Sequence, residues 1–159
     1  MSKFIGTFVN KIDAKGRVSI PAEFRAALAD QAYNGLICIP SITEAAVDAG
    51  GLDRLEEIHA MIEEIDPYAE ERAAFEISLM GGARRFNFDA DGRILLTAEL
   101  IDHAQLNGQA AFVGRGEKFQ IWNPDLFEVE RARALELARE RRGLLVARRK
   151  RGRADSDAA

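Results

Sequence analysis

The sequence predicts an α+β protein with a mainly β core, in which one β-hairpin and helix unit occurs twice. The first observation is a repeated stretch, because residues 13–24 (DAKGRVSIPAEF) match residues 89–100 (DADGRILLTAEL) at an offset of 76 positions. The second is that alternating apolar residues follow each Gly-Arg pair, as in a half-buried strand. The third is helical spacing of apolar residues between the copies. An internal duplication with a helical connector is the simplest explanation.

Each copy begins with the pattern Asp-x-x-Gly-Arg. The Asp side chain can close a four-residue turn, and the Gly can adopt the positive φ that such a turn requires. We therefore predict that each turn joins two strands as a hairpin, with Arg17 and Arg93 at the exits. A well-made hairpin with solvated charges would explain the same pattern without any binding function.

A short helix is predicted after each turn. Pro21 and Thr97 are suited to the first helical position and to the N-cap, respectively. The helices are expected from about Ala22 to Leu28 and from Ala98 to Leu106. The Asn-Gly pairs at 34–35 and 107–108 are expected to supply a left-handed stop after them.

The stretch between the copies is predicted to be a pair of helices. Apolar residues from Leu52 to Ile65 recur at helical spacing, and Asp66-Pro67 ends the first helix. A second helix is expected from about Tyr68 to Met80, before Gly81-Gly82. The apolar stripes fit either a helix hairpin packed on the sheets or a contact between protomers.

Further strands and a C-terminal helix complete the predicted organisation. Strand pairs are expected at 36–39 with 45–47 and at 110–113 with 118–122, the latter turning through Gly114-Arg115-Gly116-Glu117. Asn123-Pro124 begins a helix that runs to about Arg142. We divide the chain into a first repeat (1–51), a connector (52–82), a second repeat (83–125) and a C-terminal helix with a basic, partly disordered tail (126–159).

Charge is unevenly distributed along the chain. The formal net charge is −4, whereas residues 139–153 alone carry +7. This segment could be a flexible arm attracted to nucleic acid, or Leu144-Leu145-Val146 could dock it on a neighbouring subunit. Other cations are gathered in the first repeat, which favours an anionic partner there: Lys3, Lys11, Lys15, Arg17 and Arg25.

The composition argues against an enzyme, a metal site or a membrane protein. Cys38 is the single cysteine and lies in an apolar run, where it is expected to pack as a small hydrophobe. His59 and His103 lack companions for catalysis or metal binding. Trp122 alternates with Phe119 and is expected in the core. No apolar run reaches the length of a membrane span and no signal peptide precedes the first turn, so we expect a cytoplasmic protein without a cofactor or small-molecule substrate.

Three stretches carry a family resemblance. Residues 6–21 (GTFVNKIDAKGRVSIP), 86–96 (FNFDADGRILL) and 119–122 (FQIW) resemble the paired signatures of the MraZ family of bacterial transcriptional regulators. The resemblance covers roughly residues 1–140, and its specificity lies in the two Asp-x-x-Gly-Arg turns at this separation. It implies two SpoVT-AbrB-like repeats of the double-psi, swapped-hairpin type.

The resemblance also implies a function. It suggests a nucleoid-associated, sequence-specific regulator that represses its own operon in the cell-division and cell-wall gene cluster. An oligomeric ring would bind repeated short boxes of double-stranded DNA through its first-repeat loops. Asp91 replaces Lys15 and Thr97 replaces Pro21 in the second copy, so the first loop is the better DNA reader. The expected DNA-binding residues are Lys11, Lys15, Gly16, Arg17, Arg25 and Arg93.

Two other classes remain open from the residues alone. An AbrB-like antitoxin would dimerise through one hairpin unit and bind a toxin through a disordered tail, although two covalent repeats with a helical connector fit that less well. A nucleic-acid-associated assembly module would use the duplication to build an oligomer and the basic tail to contact RNA or ribosomes.

Overall fold

The chain folds as a mixed α+β protein dominated by antiparallel strands, as the sequence predicts. A computed structural model describes residues 3–146. Residues up to Pro124 form one compact unit and those from Asp125 onward form a second. The strands are β1 (Thr7–Lys11), β2 (Arg17–Ser19), β3 (Gly35–Pro40), β4 (Ala46–Gly50), β5 (Arg84–Asn87), β6 (Arg93–Leu95), β7 (Gln109–Gly114) and β8 (Phe119–Trp122). The helices are α1 (Ala22–Ala27), α2 (Leu52–Glu63), α3 (Glu70–Phe75), α4 (Ala98–His103) and α5 (Pro124–Glu140).

The strands of the two halves exchange partners. One sheet has the order β1-β7-β8-β4-β3-β5, and a separate ribbon contains β2 and β6. The prediction that each turn joins two paired strands is therefore wrong beyond the turn itself. Within the described residues β1 and β2 do not pair, and one isolated bridge joins Ile12, which follows β1, to Val18 of β2. Pairing across the halves is favoured because the β2–β6 ribbon buries Val18 and Ile94 against the common core.

The core of the first unit draws on both halves of the chain. Phe24 of α1 lies at its centre, with ring centroids 4.8 Å from Phe119 of β8 and 5.4 Å from Phe4. Leu36 and Leu100 are also fully buried in this cluster. Each half thus supplies part of the apolar interior that the other half needs.

The connector forms the two expected helices, but the second begins later than predicted and its last turn is π-helical. α2 ends at Glu63, and α3 begins at Glu70 and continues directly into a π-helical turn over Glu76–Met80. α3 begins later than the predicted Tyr68 because Asp66 Oδ1 accepts a hydrogen bond from Tyr68 N, and this bond holds a local turn there.

One predicted helix stop is wrong and the other is partly right. Gly35 is a buried residue of β3 with no positive φ, and a β-carbon there would lie 2.0 Å from Phe86 O. Glycine is required at this position because β5 approaches closely, and not because the chain makes a left-handed turn. In the second half Gly108 does have a positive φ (74°), but Gln105 (φ 54°) also takes this conformation just after α4.

The β7–β8 hairpin confirms two further predictions. Arg115 N donates to Lys118 O across the Gly114–Glu117 turn, as expected for a hairpin. Trp122 is buried, and its Nε1 donates to Gln120 Oε1 at 3.0 Å. The buried Gln120 also donates to Asp48 Oδ1 at 2.8 Å, so its amide is satisfied on both sides.

The second unit is described only up to Val146. α5 begins at Pro124 as predicted, and Val129, Leu135 and Leu137 are exposed on it. Leu144, Leu145 and Val146 are exposed as well. Five of the eight basic residues in residues 139–153 lie outside the described residues: Arg148, Arg149, Lys150, Arg151 and Arg153.

Candidate nucleic-acid interface

The β2–β6 ribbon presents one face to the core and the other to solvent. Arg17 pairs with Leu95, Val18 with Ile94, and Ser19 with Arg93. Because side chains alternate along a strand and Val18 and Ile94 are buried, the other four residues share the outer face. The ribbon therefore carries Arg17 at one end and Arg93 at the other on the same surface.

The first turn holds its arginine with one carboxylate. Asp13 Oδ1 accepts from Lys15 N and Arg17 N, both at 2.9 Å, and Asp13 Oδ2 accepts from Arg17 Nε at 2.7 Å. Gly16 has a φ of +88° and donates its N–H to Asp13 O. Within the described residues, neither terminal nitrogen of Arg17 makes a hydrogen bond. The turn thus orients a guanidinium whose two outer nitrogens remain open to a ligand.

The second turn has the same backbone hydrogen bonds, but the side chain of its arginine bonds to two carboxylates instead of one. Asp89 Oδ1 accepts from Asp91 N and Arg93 N at 2.9 Å, and Asp89 Oδ2 accepts from Arg93 Nε at 3.0 Å. In addition, Arg93 Nη2 donates to Asp91 Oδ2 at 3.3 Å. The second turn therefore carries two carboxylates against one cation, whereas the first carries one carboxylate against Lys15 and Arg17.

Each turn docks on the other half of the chain. Gly16 O accepts from Leu96 N at 2.9 Å, and Gly92 O accepts from Ile20 N at 3.1 Å. A β-carbon at Gly16 would lie 3.2 Å from Leu96 O, in addition to the strain of its positive φ. Gly16 is therefore needed for the conformation and the close packing of the first turn, and this holds without any contact of its own to a ligand.

The predicted cations do not all lie together. Lys11 and Lys15 are exposed near the first turn, Lys11 at the end of β1 and Lys15 at the tip. Arg25 instead lies against the second turn, where a β-carbon on Gly92 would fall 2.1 Å from Arg25 Nη1. Four residues along the ribbon separate the two turns, roughly 13 Å at 3.3 Å per residue. Grouping Arg25 with Lys15 and Arg17 from sequence proximity was wrong, because strand exchange moves α1 to the opposite turn.

Lys3 is the last of the five cations that the sequence groups in the first repeat, and it forms an ion pair away from the first turn. Its Nζ pairs with the Glu117 carboxylate at the β7–β8 turn. The described cations that stay at the first turn are therefore Lys11, Lys15 and Arg17.

Asp13 is a positioning residue that was not among the predicted site residues. Its three hydrogen bonds fix both the turn and the direction of the Arg17 side chain. The signal was present in the sequence, because an Asp four residues before an Arg recurs in both copies. Acceptance of hydrogen bonds from the Arg17 backbone N–H, from its side chain and from Lys15 N holds the pKa of the Asp13 carboxyl below its ordinary value of 3.8.

We expect this shift to be visible as an acid-dependent loosening of the turn. Since the folded pKa is depressed, the stabilisation is complete above the ordinary carboxyl pKa and is lost as the pH falls through the lower folded value. An NMR titration should show the Asp13 carboxyl midpoint below 3.8, with the Lys15 and Arg17 amide resonances moving together with it. In Asp13→Asn those coupled amide shifts should disappear. A midpoint at or above the ordinary value would contradict the hydrogen-bond arrangement.

Other reactive groups lie away from the ribbon or in inert settings. Burial raises the pKa of the Cys38 thiol, which keeps it protonated inside β3. His59 is exposed and its Nδ1 lies 3.2 Å from Glu63 Oε1, as expected of a surface residue. Within residues 3–146, no three His, Cys, Asp or Glu side chains are grouped to hold a metal ion. No helix in this range combines the length and apolar character needed to cross a membrane.

Comparison with known proteins gives a consistent set of relatives. Residues 79–143 match a family described as "MraZ protein, putative antitoxin-like". The transcriptional regulator MraZ of Rickettsia bellii (strain OSU 85-389) is 46% identical over 143 residues, covering 89% of this chain and 95% of the relative. The protein of the same description from Rickettsia akari (strain Hartford) is 44% identical over 142 residues, and that from Rickettsia canadensis (strain McKiel) is 43% identical, with the same coverage. Since these similarities extend over most of both chains, the chain belongs to the MraZ family of transcriptional regulators.

Proposed function

We propose that this chain is a sequence-specific DNA-binding regulator that represses its own operon, within a bacterial cell-division and cell-wall gene cluster, and acts at the nucleoid. The observation that carries the proposal is the first turn, where Asp13 orients Arg17 and leaves both of its terminal nitrogens open. A guanidinium with two free parallel donors suits the O6 and N7 acceptors of guanine or a phosphate.

The neighbouring groups favour the same partner. Lys11 and Lys15 are exposed near Arg17, and they supply positive charge toward phosphates. A two-stranded antiparallel ribbon such as β2–β6 has dimensions that the DNA major groove admits. Arg17 is assigned to base or bidentate phosphate contact and the lysines to charge. Arg93 and Arg25 are assigned weaker roles, because the second turn adds Asp89 and Asp91 to its surroundings.

DNA from upstream of the coding sequence provides the direct test. We expect the protein to retard this DNA in the presence of excess unrelated competitor, and footprinting should reveal repeated short boxes. Scrambling the boxes should abolish the specific complex, and a reporter under this promoter should rise when the regulator is deleted. Equal affinity for the boxes and for scrambled DNA would contradict the proposal.

A toxin partner is the alternative suggested by the antitoxin-like description of the family. That function would not require open cations at the first turn. Binding of a toxin with unchanged affinity in Arg17→Ala, together with no preference for the upstream DNA, would favour this alternative.

We further propose that several protomers form a closed ring that presents several first turns to DNA at once. Exposed apolar side chains on the connector, Met61, Tyr68 and Ile77, offer area for contacts between protomers. β1 and β5 lie at the two edges of the sheet, and no other strand of residues 3–146 pairs with their outer sides. One turn makes few contacts, whereas several at fixed spacing raise the effective concentration of each after the first has bound.

Light scattering coupled to gel filtration should give a mass of several times the protomer mass of 17.6 kDa. Inserting about half a helical turn of DNA between two boxes should weaken binding much more than inserting a full turn, because only the full turn keeps both boxes on one face. A monodisperse monomer at micromolar concentration would contradict both the ring and the multivalent mechanism.

The basic tail is proposed to attract DNA without reading its sequence. Deleting residues 143–159 should preserve folding, oligomer mass and the preference among DNA sequences, but should lower the overall affinity. The slope of log affinity against log salt should flatten by about 0.9 for each phosphate that the shortened protein no longer neutralises. The deletion also removes Leu144-Leu145-Val146, so an unchanged slope with a lower oligomer mass would instead indicate that this apolar patch docks on a neighbour.

A further inference from the structure

Leu95 is an exposed aliphatic side chain on the outer face of the β2–β6 ribbon. Its fractional exposure is 57%, although its neighbours on that face are Arg17, Ser19 and Arg93. At the matching position of the other copy, 76 residues earlier, stands Ser19. The serine at this matching position shows that the ribbon does not need an aliphatic residue there. Leu95 therefore gives the first-turn end of the ribbon an apolar side chain that the other end lacks.

Leu95 lies directly beside the first turn and Arg17. Because Leu96 N donates to Gly16 O and Ile20 N donates to Gly92 O, the Arg17–Leu95 pair between them is of the non-hydrogen-bonded type. In such pairs the β-carbons lie about 4.5–5.5 Å apart. Leu95 Cδ1 would be 3.6 Å from a β-carbon at Gly16, so this side chain leans over the turn.

We propose that Leu95 is a specificity-determining residue that contacts the methyl group of a thymine next to the base read by Arg17. This inference rests on the proposed DNA-binding function. In the major groove, the C5-methyl group of thymine is the apolar feature that base edges offer to an aliphatic side chain. A separation of about 5 Å from Arg17, against a rise of about 3.4 Å per base pair, places this thymine within one or two base pairs of the guanine.

The surroundings of Leu95 favour DNA over a protein partner. The outer face near it carries Arg17 and, at the adjoining turn, the exposed Lys15. An apolar group beside two open cations matches a groove in which methyl groups lie among phosphates and acceptor edges. The exposed apolar residues Met61, Tyr68 and Ile77 lie instead on the connector, where contacts between protomers are proposed.

Replacing single thymines by deoxyuridine tests the inference, because this change removes only the methyl group. In the specific box, each thymine within two base pairs of the Arg17-dependent guanine is replaced in turn. We expect wild-type protein to lose about fourfold in affinity at one such thymine, because the burial of one methyl group is lost. Leu95→Ala and Leu95→Ser should bind the thymine and deoxyuridine boxes equally, whereas Leu95→Ile should retain most of the discrimination.

Controls separate this role from a structural one. Ile42→Ser changes an exposed aliphatic residue away from the ribbon and from the proposed protomer contacts, and should leave the thymine discrimination intact. Equal discrimination by wild type and Leu95→Ala, a loss of affinity that is the same on both boxes, or a lower oligomer mass in Leu95→Ala would each overturn the inference. If one of these results is found while wild type binds specifically and Arg17→Ala does not, only the Leu95 assignment fails and the proposed function stands. If wild type shows no specific binding, the proposed function itself fails.

Discussion

Arg17→Ala is expected to weaken specific DNA binding by about 1–3 kcal/mol for each contacted site. The variant removes a guanidinium whose Nε is held by Asp13 at 2.7 Å and whose terminal nitrogens are open. Fluorescence anisotropy with labelled box DNA measures the change. Where several turns engage one DNA molecule, the loss should grow with the number of boxes.

Arg93→Ala is the matched control, because Arg93 occupies the same position of the second turn. Its Nε and Nη2 are bonded to Asp89 and Asp91, so we expect a smaller loss of affinity. Arg17→Lys should keep part of the non-specific binding and lose the preference for the box, since a lysine cannot make the bidentate contact. Circular dichroism should be unchanged in all three variants. Wild-type affinity in both alanine variants would show that the ribbon is not the DNA site.

Phe24→Ala is expected to lower the free energy of unfolding by about 3–5 kcal/mol. Phe24 is 1% exposed, and its ring lies 4.8 Å from Phe119 and 5.5 Å from Phe8, measured between centroids. Truncation would leave a cavity where the two halves of the chain meet, and the aromatic contacts on several sides limit how far the site can collapse.

Chemical denaturation followed by circular dichroism gives this free energy, with protein concentration held constant so that any oligomer contributes equally. Ile42→Ala is a suitable control, because Ile42 is an apolar residue that is 54% exposed and should change stability by little. A loss below about 1 kcal/mol in Phe24→Ala would contradict the central position of α1 in the core.

The local chemistry of both turns could be predicted because it is contained within five residues. The Asp carboxylate, the positive-φ glycine and the arginine that follows are adjacent in sequence, and each hydrogen bond of the turn joins residues no more than four apart. The charge difference between the turns also follows directly from Lys15 against Asp91. The positions of Trp122 and Cys38 in the core followed from apolar patterning.

Partners distant in sequence could not be predicted in the same way. Arg25 follows Arg17 by eight positions, yet it lies at the second turn, because β2 pairs with β6 and carries α1 across. Gly35 lacks the positive φ that its Asn-Gly sequence suggested, because β5 approaches it too closely for a β-carbon. The buried Gln120 gave no signal, since its partner Asp48 lies 72 residues away.

The sequence by itself determined the α+β class, the two turns, the helix starts at Ala22 and Ala98, and the greater positive charge of the first turn. Pro21, predicted at the first helical position, is instead the N-cap of its helix. These features depend on backbone preferences and hydrogen bonds between near neighbours. Only the tertiary structure decided which strands pair, which arginine has open nitrogens, and that Leu95 stands exposed beside Arg17. Strand pairing is decided by which partners bury the most apolar surface, and in this chain those partners lie in the opposite half.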